Sequence, residues 1–482
     1  MTASSTPIPS AATIAAADWA AAHDGVVATL RDLIRIPSVN PPDPAAPDGE
    51  TRVARYLEAR LRSLGLYPEV VEPEPGRGSV HARLRGDGTG GAPFLLLSHL
   101  DVVPAPPERW THPPFAAHVA DGYVYGRGAV DMKGMVALEL AIVERLVGEA
   151  RTAGLDPSRD PIPGLRRDVL FTCAADEEAG STAGARWIAV ERPDWLRAAG
   201  AVNECGGVSV TVAGRRLYPI QVAEKGFIPY RIHVSGTWGH GSMPREDNAA
   251  VRAARIVERL AVAGPIRLTP VMTRFLDAAA DALPDEIGGV LRRIGTGQLD
   301  AATADRLLER ICDPMYGRAL RAMLRDTLSP NLIQVGVKYN VIPGDAIVEV
   351  DCRILPGTTA ADMLGEVERR IGEDLLGACT IERLAYGEPV ESPASGPVWD
   401  TLVATLRDHD PDGIPVPVMA PFATDAKATA MVGTPTYGFS PFRLDPDERF
   451  LERFHGVDER ISLDALRFGL PVLYDVVRRF CG

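Results

Sequence analysis

The sequence predicts an α/β fold, in which a mixed, mostly parallel sheet with helices on both faces is interrupted by an inserted βαββαβ domain of the α+β type. Short apolar strands alternate with helical segments up to about residue 225, which is typical of such a sheet. From 226 to 390 the order of strands and helices changes, and from 391 to 482 the first pattern returns. We therefore expect one domain built from residues 1–225 and 391–482, with residues 226–390 inserted into it.

The first part begins with a stretch rich in Ala, Ser, Thr and Pro, to about residue 22, which we expect to be a loose tail. It has neither the basic start nor the continuous apolar stretch of a signal peptide. Apolar residues at helical spacing then predict two helices, at 19–34 and 50–64. Further strands are predicted at 67–72, 80–84, 94–97, 169–172 and 201–202, and further helices at 134–147 and 181–190.

The inserted part combines four predicted strands with two helices. The strands are 227–234, 332–339, 346–354 and 380–386, and the helices are 248–262 and 359–371. Residues 340–345 are expected to form the turn between the two middle strands. Residues 265–330 read as a mostly helical insertion to which we assign no chemistry. In the last part, helices are predicted at 398–407 and 463–480 and strands at 416–419 and 436–439.

The composition limits the binding partners that the protein can have and indicates its location in the cell. The 482 residues are 46% hydrophobic and 24% charged, as in globular proteins, with a formal net charge of −13. This charge argues against nucleic acid or an anionic membrane as a partner. Six cysteines without a CxxC pair fit reduced thiols, and no apolar run reaches the ~20 residues of a membrane span. We therefore expect a cytoplasmic protein.

The predicted strand at 94–97 ends in a pattern that favours a metal site. Its apolar residues are followed by His99 and, two positions later, by Asp101. Side chains at i and i+2 of a strand lie on the same face, so Asp101 could orient the imidazole of a metal-bound His99. The alternative interpretation is a strand that simply ends in a polar turn, which would contain the same two residues.

Further acidic residues and a second histidine occur where other predicted strands end. They are Asp131, Glu177, Glu178, Glu204 and His455. Taken singly, these also fit a turn aspartate, a solvated helix N-terminus or a surface histidine. Taken together, two histidines with several carboxylates suit zinc or a similar divalent ion. Five ligands are too many for one open zinc site and about right for two ions that share a carboxylate.

Four segments resemble the di-zinc aminoacylase/carboxypeptidase family, which includes aminoacylase, acetylornithine deacetylase, succinyl-diaminopimelate desuccinylase and carboxypeptidases G and S. They are residues 98–104 (Ser-His-Leu-Asp-Val-Val-Pro), 126–134 (Gly-Arg-Gly-Ala-Val-Asp-Met-Lys-Gly), 176–178 (Asp-Glu-Glu) and 203–204 (Asn-Glu). They occur in the family's order, and the resemblance as a whole covers nearly the whole chain. Trp110, Pro-Pro-Phe at 113–115 and Gly-Phe-Ser-Pro at 438–441 make the chain most similar to the carboxypeptidase S and aminoacylase branch.

The resemblance implies two metal sites that share one ligand: His99, Asp131 and Glu204 at one, and Asp131, Glu178 and His455 at the other. Glu177 would be the general base, and Asp101 would orient a ligand rather than bind metal. The two ions would be Zn²⁺, with Co²⁺ or Mn²⁺ as alternatives. The peptide bond between Asp131 and Met132 would be cis.

The resemblance also makes the inserted domain a lid with substrate contacts. The family places a lid histidine at the position of His240, which reaches a substrate carbonyl, often in the active site of a second subunit. Asn340 and Arg353 resemble lid residues that contact the substrate carboxylate or the oxyanion, although Arg353 also fits a cross-strand salt bridge. Many relatives have Gly-Gly-Thr-Asp and then an arginine, where this chain has Phe-Ala-Thr-Asp-Ala-Lys, ending at Lys427. Lys427 would meet a carboxylate as a point charge, and Gly438 is a further candidate for the substrate site.

The predicted function is hydrolysis, by a metal-activated water, of an amide bond next to a free carboxylate in N-acyl-amino acids or short peptides. A biosynthetic deacylase of the acetylornithine or succinyl-diaminopimelate type is the alternative within the class. A non-catalytic binding protein of the same fold is the alternative from another class, and the intact ligand positions argue against it. The resemblance also allows a homodimer through the lid domain.

Overall fold

The computed structural model describes residues 10–42 and 47–482. The helices are α1 Ala16–Ile34, α2 Gly49–Ser63, α3 Lys133–Thr152, α4 Ala185–Glu191, α5 Ala249–Leu260, α6 Pro270–Ala282, α7 Asp285–Gly295, α8 Ala301–Ile311, α9 Pro314–Met323, α10 Ala360–Ile371, α11 Glu373–Leu376, α12 Pro397–His409, α13 Ala426–Met431 and α14 Leu463–Cys481. The strands are β1 Glu69–Val71, β2 Ser79–Leu84, β3 Phe94–His99, β4 His118–Ala120, β5 Tyr123–Tyr125, β6 Val169–Ala174, β7 Gly200–Asn203, β8 Val210–Val212, β9 Arg215–Glu224, β10 Gly226–Phe227, β11 Tyr230–Ser235, β12 Gly239–His240, β13 Thr327–Val335, β14 Val341–Ile342, β15 Asp345–Ile354, β16 Cys379–Arg383, β17 Val390–Glu391, β18 Gly413–Ala420, β19 Thr436–Gly438 and β20 Arg460–Ser462.

The chain folds as two compact units. The first contains the described residues up to Val222, together with Ser392–Val418 and Thr424–Gly482. The second contains Ala223–Glu391 and Met419–Ala423. Among the described residues, no helix is long and apolar enough to cross a lipid bilayer.

The first unit is built on a large sheet in the strand order β1-β2-β6-β3-β7-β19-β9, with β8 and β18 also pairing with β9. The four central strands, β6, β3, β7 and β19, are parallel. Every residue of β3 and β6 is buried, as expected of strands that are covered on both faces. One face packs against α4 and α13, through side chains such as Ile188 and Ala428, and α3 covers β3 from the other side with α1 and α14 beside it. The predicted α/β class is therefore confirmed.

The second unit has a sheet in which β13, β15, β11 and β16 are antiparallel neighbours. Residues of β15 alternate between buried and more exposed positions, because α5 and α10 cover only one face of the sheet. Thr359 begins α10 with a reciprocal capping box to Asp362. Helices α6 to α9 lie between α5 and β13 in the chain.

Several predicted elements of the second unit differ from the structure, among them the strand expected at 380–386, which ends at Arg383. The strand expected at 227–234 is divided into β10 and β11 around Pro229, which has no N–H to donate. The strand expected at 332–339 starts earlier, at Thr327, and ends at Val335. The turn expected at 340–345 contains a strand of its own, β14, which pairs with β12.

The N-terminal tail is shorter than expected. Helix α1 begins at Ala16, and the backbone N–H of Ala11 donates to the carboxylate of Asp475 on α14 at 2.6 Å. The loose tail predicted to about residue 22 is therefore wrong for residues 10–22, and residues 1–9 lie outside the described residues.

In the same unit, the helix expected from 181 begins at Ala185, because Ser181 has a positive φ of 61°.

Candidate metal centre

The predicted ligands come from the ends of neighbouring strands in the first unit. His99 is the last residue of β3, Glu204 directly follows β7, and Glu178 follows β6 by four residues. Because β6, β3 and β7 are parallel neighbours, their carboxyl ends meet at one edge of the sheet. The sequence pattern therefore places these three side chains together.

Three of the side chains form a first buried cluster. The His99 Nε2 lies 2.9 Å from Asp131 Oδ1 and 3.6 Å from Glu204 Oε2. Asp131 stands just before α3, and its peptide bond to Met132 is cis, as the family resemblance implied. His99, Asp131 and Glu204 are all buried.

A second cluster shares Asp131 with the first. The His455 Nε2 lies 3.1 Å from Glu178 Oε2 and 3.4 Å from Asp131 Oδ2. Asp131 therefore presents one carboxylate oxygen to His99 and the other to His455. This is the arrangement that a carboxylate shared by two metal ions requires.

The residues present fit a pair of divalent cations. In each cluster, one ligand atom per residue lies within 4.8 Å of the others. The second oxygen of Glu178, Oε1, is buried and has no hydrogen-bond partner among the described residues. A buried carboxylate oxygen without a donor is costly, and a bound cation would satisfy it. Imidazole and carboxylate donors in this number suit zinc, cobalt or manganese.

Asp101 contacts both His99 and the turn after β6. Its Oδ1 lies 3.4 Å from His99 Nδ1, whose closer neighbour is the backbone carbonyl of Asp101, at 3.1 Å. The carboxylate also accepts the backbone N–H groups of Glu177 and Glu178, at 3.1 and 3.0 Å. Asp101 is therefore placed to hold the ring of His99 and the two glutamates in one arrangement.

Glu177 and Glu178 lie in a short 3-10 helix that begins after a strained residue. Asp176, which precedes it, has a left-handed backbone with φ of 64°. Burial, with the negative charge of Glu204 next in importance, raises the pKa of Glu177 well above its ordinary value. A carboxylate with a raised pKa is a stronger proton acceptor, which suits an acid–base role.

Glu459 is a site residue that the sequence reasoning missed. Its buried carboxylate accepts the backbone N–H groups of Gly128, Val130 and Asp131, at 3.0, 2.8 and 3.1 Å, and the guanidinium of Arg127, at 2.6 Å. Glu459 therefore clamps the backbone that presents the shared aspartate. The only signal for it in the sequence is its position four residues after His455, which does not reveal the contact.

Gly438 and Lys427, the other substrate-site candidates of this unit, lie on β19 and α13. A Cβ atom at Gly438 would lie 2.4 Å from the carbonyl oxygen of Glu204, so only glycine lets these backbones approach. Lys427 is half-buried on α13. Their roles toward substrate stay predictions.

His240, Asn340 and Arg353 belong to the second unit. The strand pair β12–β14 brings two of them close, because His240 pairs with Val341 and the N–H of Gly241 donates to the Asn340 carbonyl at 2.8 Å. The exposed ring of His240 contacts the hydroxyl of Ser242 at 2.7 Å. Arg353 makes a two-pronged ion pair with Asp351 on its own strand, at 2.8 and 3.1 Å, rather than across strands. Their contacts with substrate stay predictions.

The clustered carboxylates favour protons on the ligands. Burial opposes a charge on His99, but the nearby carboxylates, Glu204 first, raise its pKa well above the ordinary value. Hydrogen bonds with Asp131 and Glu178 raise the pKa of His455 to about 10. Burial raises the pKa of Glu204 to about 7. Cations bound here would take the place of these protons.

A chain with this fold, and with two histidine–carboxylate clusters sharing one aspartate, has the arrangement of a metal-dependent hydrolase. Residues 95–479 match Peptidase family M20/M25/M40, and the chain belongs to this family. The resemblance predicted from the motifs is therefore confirmed, and the protein is a hydrolase of this family.

Similar proteins agree with this assignment. The chain is 28% identical over 404 residues to the N-fatty-acyl-amino acid synthase/hydrolase PM20D1 of Homo sapiens, covering 82% of this chain and 75% of that protein. It is 27% identical over 470 residues to Aminoacylase-1 of Sus scrofa, covering 93% and 96%. In fold it is similar to the M20 family metallo-carboxypeptidase Sso-CP2 from Sulfolobus solfataricus, with a TM-score of 0.68, 17% identity, and 94% and 99% of the two chains covered.

Zinc binding to the metal-free protein at pH 7 should release about two protons per chain, because histidine and carboxylate ligands bind metal only after losing their protons. Titration calorimetry in buffers of different ionisation enthalpy gives the number of protons as a slope. The variant His455→Gln should release about one proton fewer. A heat of binding that does not depend on the buffer would contradict protonated ligands.

Proposed function

We propose that the protein hydrolyses the amide bond of N-acyl-amino acids or short peptides next to a free carboxylate, using two divalent ions, most simply Zn²⁺. The observation that carries the proposal is the split of Asp131 between two histidines, with Oδ1 at 2.9 Å from His99 and Oδ2 at 3.4 Å from His455. A single ion would not need both oxygens of one buried carboxylate to face separate ligand groups.

In this proposal, one ion is held by His99, Asp131 and Glu204, and the other by Asp131, Glu178 and His455. The bound ions would lower the pKa of a water molecule and polarise the scissile carbonyl. The protein's own contribution is to keep the ligands fixed. Glu459 holds the Asp131 backbone, and Asp101 holds His99 and the backbone of Glu178.

Glu177 is the proposed general base. Its backbone N–H is fixed by Asp101, and its half-buried carboxyl group can accept a proton and keep it for the next step. Glu177 takes a proton from the attacking water as the new C–O bond forms. It then gives this proton to the leaving nitrogen as the C–N bond breaks, which yields a free carboxylic acid and an amine.

The proposed substrate class draws on the similar proteins. One is named as an N-fatty-acyl-amino acid synthase/hydrolase and another as an aminoacylase. Lys427 is the proposed contact for the free carboxylate, as a point charge in the place of the relatives' arginine. A suitable panel contains N-acetyl, medium-chain and long-chain acyl-amino acids, dipeptides, acetylornithine and succinyl-diaminopimelate. Fastest cleavage of either of the last two would favour the biosynthetic alternative.

Glu177→Gln should lower kcat on the best substrate of this panel by about 10²- to 10⁴-fold, because the amide cannot take the proton. Steady-state kinetics and metal analysis of the same sample provide the measurement. The matched control is Glu191→Gln, at an exposed position at the end of α4, which should keep full activity. Undiminished hydrolysis by Glu177→Gln with its metal retained would refute the mechanism.

Asp131→Asn should lose both metal ions, whereas Glu204→Gln and His455→Gln should each lose one, because only Asp131 belongs to both clusters. Equilibrium dialysis against limiting zinc, followed by metal analysis, gives the ions per chain. Treatment of the unaltered protein with a chelator should abolish activity, and zinc, cobalt or manganese should restore it. One tightly bound ion in Asp131→Asn would disprove the shared ligand.

We also propose a homodimer through the edge strand β13 of the second unit. Among the described residues, β13 pairs only with β15, so its outer edge faces away from the sheet. That edge strand exposes Ile333 and Val335, to 49% and 39%. The opposite edge strand, β16, exposes polar residues such as Thr380 and Glu382, which protect an edge from pairing. A second copy of β13 fits because a two-fold axis pairs an edge strand antiparallel with itself.

Ile333→Lys should convert the dimer to a monomer, because a charge would then lie on the shared edge. Light scattering after size-exclusion chromatography gives the mass. The control is Thr380→Lys on β16, which should remain dimeric. A monomeric unaltered protein, or a dimer that survives Ile333→Lys, would overturn this proposal.

A further inference from the structure

We propose that Arg77, which lies outside every motif described above, is a positioning residue for hydrolysis. It acts through Asn40 and Glu50 on the turn that carries Glu177 and Glu178. This inference rests on the proposed function, since it concerns the placement of the proposed base. All of the residues belong to the first unit.

The turn after β6 is held in an unusual conformation by Asp176. This residue is left-handed, with φ of 64°, a backbone state that costs free energy in residues other than glycine. Its N–H donates to Glu50 Oε2 at 3.0 Å. Its Oδ2 accepts from the Thr182 hydroxyl and the Ala183 N–H, at 3.1 and 3.0 Å. These contacts hold Asp176 in its left-handed conformation, and that conformation sets the position of Glu177 and Glu178, which follow it in the chain.

The side-chain amide of Asn40 bridges the carboxylates of Asp101 and Asp176. Its Nδ2 donates to Asp101 Oδ2 at 2.8 Å and to Asp176 Oδ1 at 3.2 Å. Asp101 in turn accepts the N–H groups of Glu177 and Glu178. The amide of Asn40 therefore links Asp176, at the start of the turn, to Asp101, which holds the N–H groups of the two glutamates.

Arg77 determines which way the Asn40 amide points. Its Nη2 donates to Asn40 Oδ1 at 2.8 Å, and a guanidinium can only donate. With the amide oxygen turned toward Arg77, the NH₂ group must face Asp101 and Asp176. If the amide rotated by half a turn, its oxygen would face two carboxylates and repel them.

The same guanidinium holds the other contact to the turn. Arg77 Nη1 donates to Glu50 Oε1, and Arg77 Nη2 lies 3.7 Å from Asp176 Oδ1. The planar fork of arginine reaches an amide oxygen and two carboxylates together, which the single charge of a lysine cannot do. The side chain of Arg77 is 12% exposed and that of Glu50 is 3% exposed, so removal of Arg77 would leave a pocket near the surface that is lined by the carboxyl groups of Glu50 and Asp176.

The test is Arg77→Ala, assayed on the acyl-amino acid or peptide that the unaltered protein cleaves fastest. We expect kcat to fall by about 10- to 100-fold, as for other residues that orient a metal site from outside it, with KM within a few-fold and two ions per chain retained. Guanidinium ions at low millimolar concentration should restore part of kcat by entering the vacated pocket. The same concentration of urea, which has no charge, should not restore it. A purely structural role would not show this selective rescue.

Two further variants complete the design. Arg77→Lys keeps the charge without the fork and should remain impaired, and it also serves if Arg77→Ala does not fold. Arg83→Ala removes a more exposed arginine, 54% exposed and paired with Asp168, and should keep normal kcat. Normal kcat in Arg77→Ala or Arg77→Lys, or a loss that guanidinium does not reverse, would overturn the inference. An unaltered, metal-loaded protein that cleaves nothing in the panel would instead refute the proposed function.

Discussion

The site depends on how Asp131 is held. Its two carboxylate oxygens face two different histidines, and this is possible only if the backbone before α3 stays in one position. Glu459 supplies that constraint by accepting three backbone N–H groups of this segment and the guanidinium of Arg127. A buried carboxylate is stable when its oxygens are satisfied in this way. Because Glu459 follows His455 by four residues, the same contacts also tie the loop that carries His455 to the segment that carries Asp131.

The other main feature of the site is the close packing of four carboxyl groups. The carboxyl groups of Asp131, Glu178 and Glu204 converge with that of Glu177 at the edge of one sheet, where burial and mutual repulsion raise the pKa values of the three glutamates. Such a group of acids is unfavourable without cations, and protons on the histidines are the only counter-charges that the ligands themselves can supply. Divalent ions bound at the two clusters would neutralise this repulsion. The contacts of Asp101 with the backbone keep the acids from moving apart.

The structure shows where sequence patterns are informative and where they are not. The central strands were recognisable because a parallel strand covered on both faces is apolar at every position, as β3 and β6 are. The second unit was harder, because β14 has only two residues and pairs with β12, about a hundred residues earlier in the chain. Short strands of this kind have no periodicity to detect. Pro229 divides a strand that otherwise alternates well, and the left-handed Ser181 delays the start of α4.

By itself, the sequence determined the α/β class, the family and the candidate ligands, because residue type, order and spacing at strand ends carry that information locally. Only the tertiary structure decided which oxygen of Asp131 faces which histidine, and which groups hold the ligands in place. Glu459 and Asp131 are 328 residues apart, and Asn40 and Asp176 are 136 apart. Contacts over such separations depend on how whole elements pack, so the histidine and aspartate at the end of β3 could be recognised from the sequence, whereas the network that positions them could not.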